Sequence, residues 1–133
     1  MRISKDRRRV MVGMFRWVFL AEKWAFKVPR NWVGFRCNRE ENRHWRNVPD
    51  ENRAMLCPVV FHLPFGLLTV MLRAEPLSEQ DAEMANGLDM PEHFPFWHPI
   101  ASYKAPVFEH NASNWGYVNG RPVVIDYGGA PSG

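Results

Sequence analysis

Residues 23–46 read Lys-Trp-Ala-Phe-Lys-Val-Pro-Arg-Asn-Trp-Val-Gly-Phe-Arg-Cys-Asn-Arg-Glu-Glu-Asn-Arg-His-Trp-Arg, and a change of period inside this stretch decides the fold. The first part alternates. Trp24, Phe26 and Val28 share one face while Ala25 and Lys27 share the other, the pattern of a strand. Pro29 ends it. From Asn31 onward the spacing becomes helical. Asn31 can cap residues 31–46, and Trp32, Phe35 and Cys37 supply an apolar side. Arg36, Arg39, Glu40 and Arg43 crowd the polar face, and Glu41 and Trp45, four apart, share a face. The run Asn47-Val-Pro-Asp50 ends the helix at Pro49.

Working outward, Met14–Leu20 is rich in aromatic and β-branched residues and reads as a strand. The short link at Ala21-Glu22 makes it a hairpin with Lys23–Val28. Residues 56–63 and 67–73 read as a second hairpin about Pro64-Phe-Gly66. They are the most apolar part of the chain and are expected to form the heart of the core. Ser78 caps a short helix to Met84, and Asn86-Gly87 ends it. Residues 88–108 carry Pro91, Pro95, Pro99 and Pro106 among Phe94, Phe96, Trp97 and Tyr103. This composition suggests an ordered loop packed by its rings or a patch for a partner. Trp115–Val118 and Pro122–Asp126 flank Asn119-Gly120, a two-residue hairpin signal. The sum is a single α+β domain over residues 1–133, with a basic tail at 1–9 and a flexible end at 129–133. Its antiparallel sheet carries one main packed helix and a shorter helix later.

Composition bounds the function. A chain of 133 residues, 46% hydrophobic and 23% charged, is ordinary for one globular domain. No window reaches the length of apolar sequence a membrane span needs. Arg16 interrupts the apolar stretch after the basic N-terminus, which makes it a poor signal peptide. Cys37 and Cys57 form no CxxC pair, so two buried thiols in a cytoplasmic protein are expected. His44, His62, His93, His98 and His110 show no metal-ligand spacing. Charge is divided unevenly. Residues 1–46 hold thirteen Lys/Arg against four Asp/Glu, a net of +9, and residues 47–133 hold a net of −6. Either an acidic partner for the first half or pairing between the halves is implied.

Four pieces stand in an informative order: Trp24-Ala-Phe-Lys27-Val28 on a strand, Glu41 on the next helix, Glu109-His-Asn-Ala-Ser-Asn114, and Val123-Val-Ile-Asp126-Tyr-Gly128. The set resembles the protein-kinase-like fold, including its aminoglycoside-phosphotransferase branch. In that family a strand lysine pairs with a helix glutamate and touches nucleotide phosphates, and a loop asparagine and a D-F-G-type aspartate bind magnesium. The resemblance covers about residues 14–128. It implies a small-lobe-like sheet plus a catalytic-loop hairpin. Lys27, Glu41, Asn114 and Asp126 would then serve the nucleotide, with Glu40 second to Glu41. Asn114 and Asp126 would hold magnesium if the protein is active, and Cys57–Pro76 would lead into an adenine-binding hinge. Asn and Asp at opposite ends of a tight hairpin can converge on one ion.

The departures point the same reading away from catalysis. Glu109 takes the place of the catalytic aspartate, five residues before Asn114, with a longer side chain than a base there requires. Only Gly13 precedes Lys27 where the family has a glycine-rich loop. Five residues follow Gly128, with no counterpart of the acceptor-binding helices. The segments LCPVV, LPFG and NWGYVNGRPVVIDYG also look like small bacteriophage-encoded proteins. The resulting expectation is a pseudokinase-like protein-binding module that modulates or inhibits a host protein or defence system. One alternative is a minimal phosphotransferase using ATP and Mg. Another is a nucleic-acid binder using the basic first half.

Overall fold

The computed structural model of the chain describes residues 10–13, 15–87, 94 and 112–127. The tail 1–9, the end 129–133, Glu109 and all of the aromatic loop 88–108 except Phe94 lie outside the described residues. The elements are β1 (Val10–Val12), β2 (Arg16–Leu20), β3 (Trp24–Pro29), α1 (Trp32–Asn47), α2 (Asp50–Arg53), β4 (Val59–Leu63), β5 (Leu68–Leu72), α3 (Glu79–Asn86), β6 (Trp115–Val118) and β7 (Arg121–Val124). Two 3₁₀ turns add Pro64–Gly66 between β4 and β5, and Ala112–Asn114 before β6.

The architecture is α+β. Five antiparallel strands run in the order β1-β2-β3-β5-β4, and β6-β7 forms a separate two-stranded hairpin. The helix α1 follows β3 and packs against it, which leaves β5 rather than β4 as the next strand in the sheet. Asn31 caps α1 as its position suggests, its Oδ1 accepting from Gly34 N at 3.0 Å. Ser78 caps α3 in the same way, with Oγ accepting from Asp81 N at 3.2 Å. The tight turn at Asn119-Gly120 has positive φ at both residues, as an Asn-Gly hairpin requires.

Three features depart from the sequence reading. The strand β1 precedes the first expected one, and β2 begins at Arg16 because Gly13 N bonds to Arg16 O at 2.8 Å and turns the chain there. A helical turn, α2, follows Pro49 directly. Most importantly, the 56–73 hairpin is not the centre of the core. β4 lies at the sheet edge and is exposed from Val60 to Leu63. The core instead gathers Leu56, Cys57 and Met71 with Trp115, Val118, Val123, Val124 and Tyr127. Leu56 bridges Val124 in parallel pairing, so the chain segment before β4 stitches the β6-β7 hairpin to the sheet.

The two sheet faces differ in a way the alternation did not reveal. Register places Arg16, Val18, Ala25, Lys27, Thr69 and Met71 on the face covered by α1. Val10, Val12, Trp17, Phe19, Trp24, Phe26, Phe61, Val70 and Leu72 share the opposite face, where six of the nine remain exposed.

The contact between α1 and the sheet depends on Gly34. A Cβ there would sit 2.2 Å from Phe15 O and 2.9 Å from Pro29 Cα. Glycine inside a helix normally costs about 1 kcal/mol relative to alanine. Here the backbone approach outweighs that propensity. Gly34→Ala is therefore expected to lower stability by about 1–3 kcal/mol, the range of an overpacked core site. Chemical denaturation checks the sign.

Candidate functional site

Four of the five singled-out residues fall within the described structure, and three of them meet. Lys27 on β3 and Glu41 on α1 are both buried, and Lys27 Nζ lies 3.1 Å from each Glu41 oxygen. Strand alternation turns Lys27 toward the helix-covered face. On α1, Glu41 lies one turn beyond Cys37 and Asn38, which are buried with it. Asp126, just after β7, joins them through a residue that the sequence reading passed over. Arg16 is 1% exposed, with Nη1 2.8 Å from Glu41 Oε1 and Nη2 2.9 Å from Asp126 Oδ1. Asn114 stands beside the cluster, since Ile125 N donates to its carbonyl at 2.8 Å across the hairpin. Glu109 is outside the described residues.

Every lone pair of the Glu41 carboxylate is engaged. Arg16 donates twice, Lys27 donates to both oxygens, and Tyr127 N donates to Oε2 at 3.0 Å. Lys27 Nζ also donates to Ile125 O at 2.6 Å. Asn38 supports Arg16 by accepting from Nη1 at 2.9 Å, and spends its amide on Lys27 O and Gly66 O, both at 3.0 Å. Gly66 is needed for this, because its φ is +77° and a Cβ would meet Phe35 O at 2.3 Å. Two cations and two carboxylates are thus shared among β2, β3, α1 and the end of β7.

The electrostatics follow from that geometry. Burial alone would raise the Glu41 carboxyl, but Arg16 and then Lys27 outweigh it and hold it at about 2. Burial opposes charge on Arg16, yet Glu41 and Asp126 reverse this and keep the guanidinium protonated. Burial raises the Asp126 carboxyl, Lys27 offsets this in part, and the neighbouring Glu41 charge adds to the rise. Glu41 and Arg16 are therefore not poised to trade a proton near neutral pH. The thiols are no better placed. Burial pushes Cys57 up to about 12, and its Sγ donates to Leu72 O at 3.1 Å. Burial also raises Cys37. Both are free and buried, as the sequence suggests.

The magnesium and nucleotide implied by the kinase-like resemblance do not fit this arrangement. Magnesium needs near-octahedral oxygen coordination at about 2.1 Å. Here a guanidinium already neutralises Asp126, and no group of three or more His, Cys, Asp or Glu lies together among the described residues. The Lys27 ammonium donates to Glu41 and Ile125 O and is 6% exposed, so it offers little surface to a phosphate. Arg16 was legible only as a charge breaking an apolar run. A sharper signal was available: it occupies the same strand face as Val18 and Leu20, so a half-buried strand would carry it inward. No family model, no curated protein and no solved structure matches this chain.

Removing one partner from a buried, charge-matched cluster leaves uncompensated charge. Glu41→Gln and Arg16→Met are each expected to cost about 3–5 kcal/mol in urea denaturation. The pH dependence has two windows. Burial and then Arg43 lower the His44 imidazole, so its share of stability is present above about 6.5 and is lost as pH falls below that. Glu41 is lowered from 4.5 to about 2, so its share is complete above 4.5 and is lost between 4.5 and 2. That second loss amounts to ~3 kcal/mol. Denaturation midpoints measured from pH 8 to pH 2 should show both steps, with Glu41→Gln lacking the acid one.

Proposed function

We propose that this chain is a non-catalytic, kinase-like protein-binding module, of the kind a bacteriophage uses to modulate or inhibit a host protein or defence system in the host cytoplasm. The observation that carries the reading is the closure of the Lys27–Glu41–Asp126 set by Arg16. The strand lysine and helix glutamate pair as the kinase-like resemblance implies, and the Asp126 end of the hairpin converges on them. Arg16 then ties up both carboxylates, so the group of residues that would handle a nucleotide serves instead as an internal brace.

What remains for function is the surface. One sheet face carries exposed apolar side chains on β1, β2, β3 and β4, and exposed apolar side chains grouped on one face suit contact with another macromolecule. No helix among the described residues is long and apolar enough to cross a membrane. The arginine-rich helix α1 adds charge on a different side of the same sheet. Rigid binding scaffolds work in this way, with a braced interior and contact residues outside it.

The reading predicts no thermal stabilisation by ATP and magnesium at millimolar concentration, where a bound ligand would add a few kcal/mol. It also predicts no transfer of labelled phosphate from ATP to the protein or to added substrates. Phosphate transfer that Asp126→Ala abolishes would instead establish the minimal phosphotransferase.

A further inference from the structure

We infer that the groove between α1 and the β4–β5 turn is a docking site for an acidic segment of a partner protein. This deepens the binding-module reading and rests on it. The groove has a volume of about 380 Å³. One wall is the α1 face bearing Arg39, Arg43 and Arg46, which stand at helical spacings of four and three. The other wall is His62 with the Pro64–Gly66 turn.

Three observations point to the occupant. First, the arginines exceed their own counter-charges. Glu40 pairs with Arg43 at 2.6 Å, whereas Arg39 donates to the Phe65 carbonyl at 3.4 Å and neither Arg39 nor Arg46 makes an ion pair among the described residues. The groove therefore keeps a positive surplus that carboxylates can satisfy, and guanidinium binds carboxylate as a two-pronged pair. Second, Thr69 lies on the groove floor, 1% exposed, and its Oγ1 has no hydrogen-bond partner. A buried hydroxyl left unpaired is costly, and a ligand that reaches the floor can pair it. Third, the rim is apolar. Phe65 is 77% exposed at positive φ, held there by the turn, with Leu63 and Leu67 exposed on either side. Arginine beside an exposed aromatic is the composition of a protein contact site.

The same features favour a protein over nucleic acid. Glu40 sits within the arginine row and repels a continuous string of phosphates. Discrete carboxylates can be placed on either side of it. The groove also ends at β4, an edge strand, so a chain segment can run through it.

The test is fluorescence anisotropy on the full chain with three labelled probes: a glutamate-rich peptide containing leucine, its glutamine counterpart, and single-stranded DNA of similar length. The glutamate peptide is expected to bind at least tenfold more tightly than the glutamine peptide at low salt, and to weaken as salt rises. Arg39→Glu with Arg46→Glu should weaken it at least tenfold more, with circular dichroism and melting temperature unchanged. Arg121→Glu, a change of charge of the same sign and half the size on the β6-β7 hairpin, should leave it within twofold of wild type. Phe65→Ser should weaken binding. Thr69→Val should weaken it too while raising the melting temperature, a pair of effects that a purely structural threonine does not produce. Equal binding of the two peptides, or equal loss in Arg121→Glu, overturns the inference. Tighter DNA binding that the Arg39 and Arg46 changes abolish overturns it as well and assigns the groove to nucleic acid. Failure here with no phosphate transfer from ATP leaves the non-catalytic module standing and removes only this surface. Phosphate transfer that depends on Asp126 removes the module itself.

Discussion

A single buried carboxylate organises this molecule. Glu41 has no exposure, and it accepts from Arg16 on β2, Lys27 on β3 and the backbone of Tyr127 after β7. An ionised group in that position is tolerated only when its charge is matched and its lone pairs are filled. Each donor therefore has to arrive at one point from a different element, and that requirement sets how α1, the sheet and the hairpin meet. Asn38 adds a further tie by linking Arg16, the β3 backbone and the Gly66 turn. Charge that is saturated in this way stabilises mainly by specifying one arrangement, because any alternative packing strands at least one ion.

The same saturation separates structure from chemistry. Lys27, Glu41 and Asp126 are brought to one point in the interior. Their donors and acceptors face one another, with Arg16 between the two carboxylates. An interior of this kind holds the surrounding elements in one arrangement. Two outer surfaces differ in character. The sheet face opposite α1 is apolar, and the exposed side of α1 is cationic. Six of the thirteen Lys/Arg of residues 1–46 fall into two populations. Arg16 and Lys27 are consumed inside, and Arg36, Arg39, Arg43 and Arg46 remain on the helix.

Much of the fold was readable from local chemistry. The Asn31 and Ser78 caps, the Pro29 and Pro49 stops and the Asn119-Gly120 turn each act within a few residues, so their signals lie in the sequence itself. The α+β class and the strand–helix–hairpin order were legible on those grounds, whereas the Lys27–Glu41 pairing was suggested only by the kinase-like resemblance. The centre of the core was misplaced for a physical reason. Apolar content marks residues 56–73 as a core hairpin, but burial depends on which strands have neighbours. β4 ended at an edge, while Leu56 and Cys57 were drawn to the β6-β7 hairpin.

The sequence by itself determined which segments become strands and helices, where they stop, and that a lysine and a glutamate would be offered by adjacent elements. These follow from periodicity, capping and turn chemistry, all short-range effects. Only the tertiary structure decided that Arg16 would join them, because its partners lie 25 and 110 residues away. It also decided which side of the sheet α1 covers. Alternation presents two faces, and the apolar one is the more obvious candidate for burial. The helix covers the other, where close approach at Gly34 and the matched charges around Glu41 together favour that packing. The chemistry of the residues is local, and whether it becomes a reactive site or an internal brace depends on what the fold brings against it.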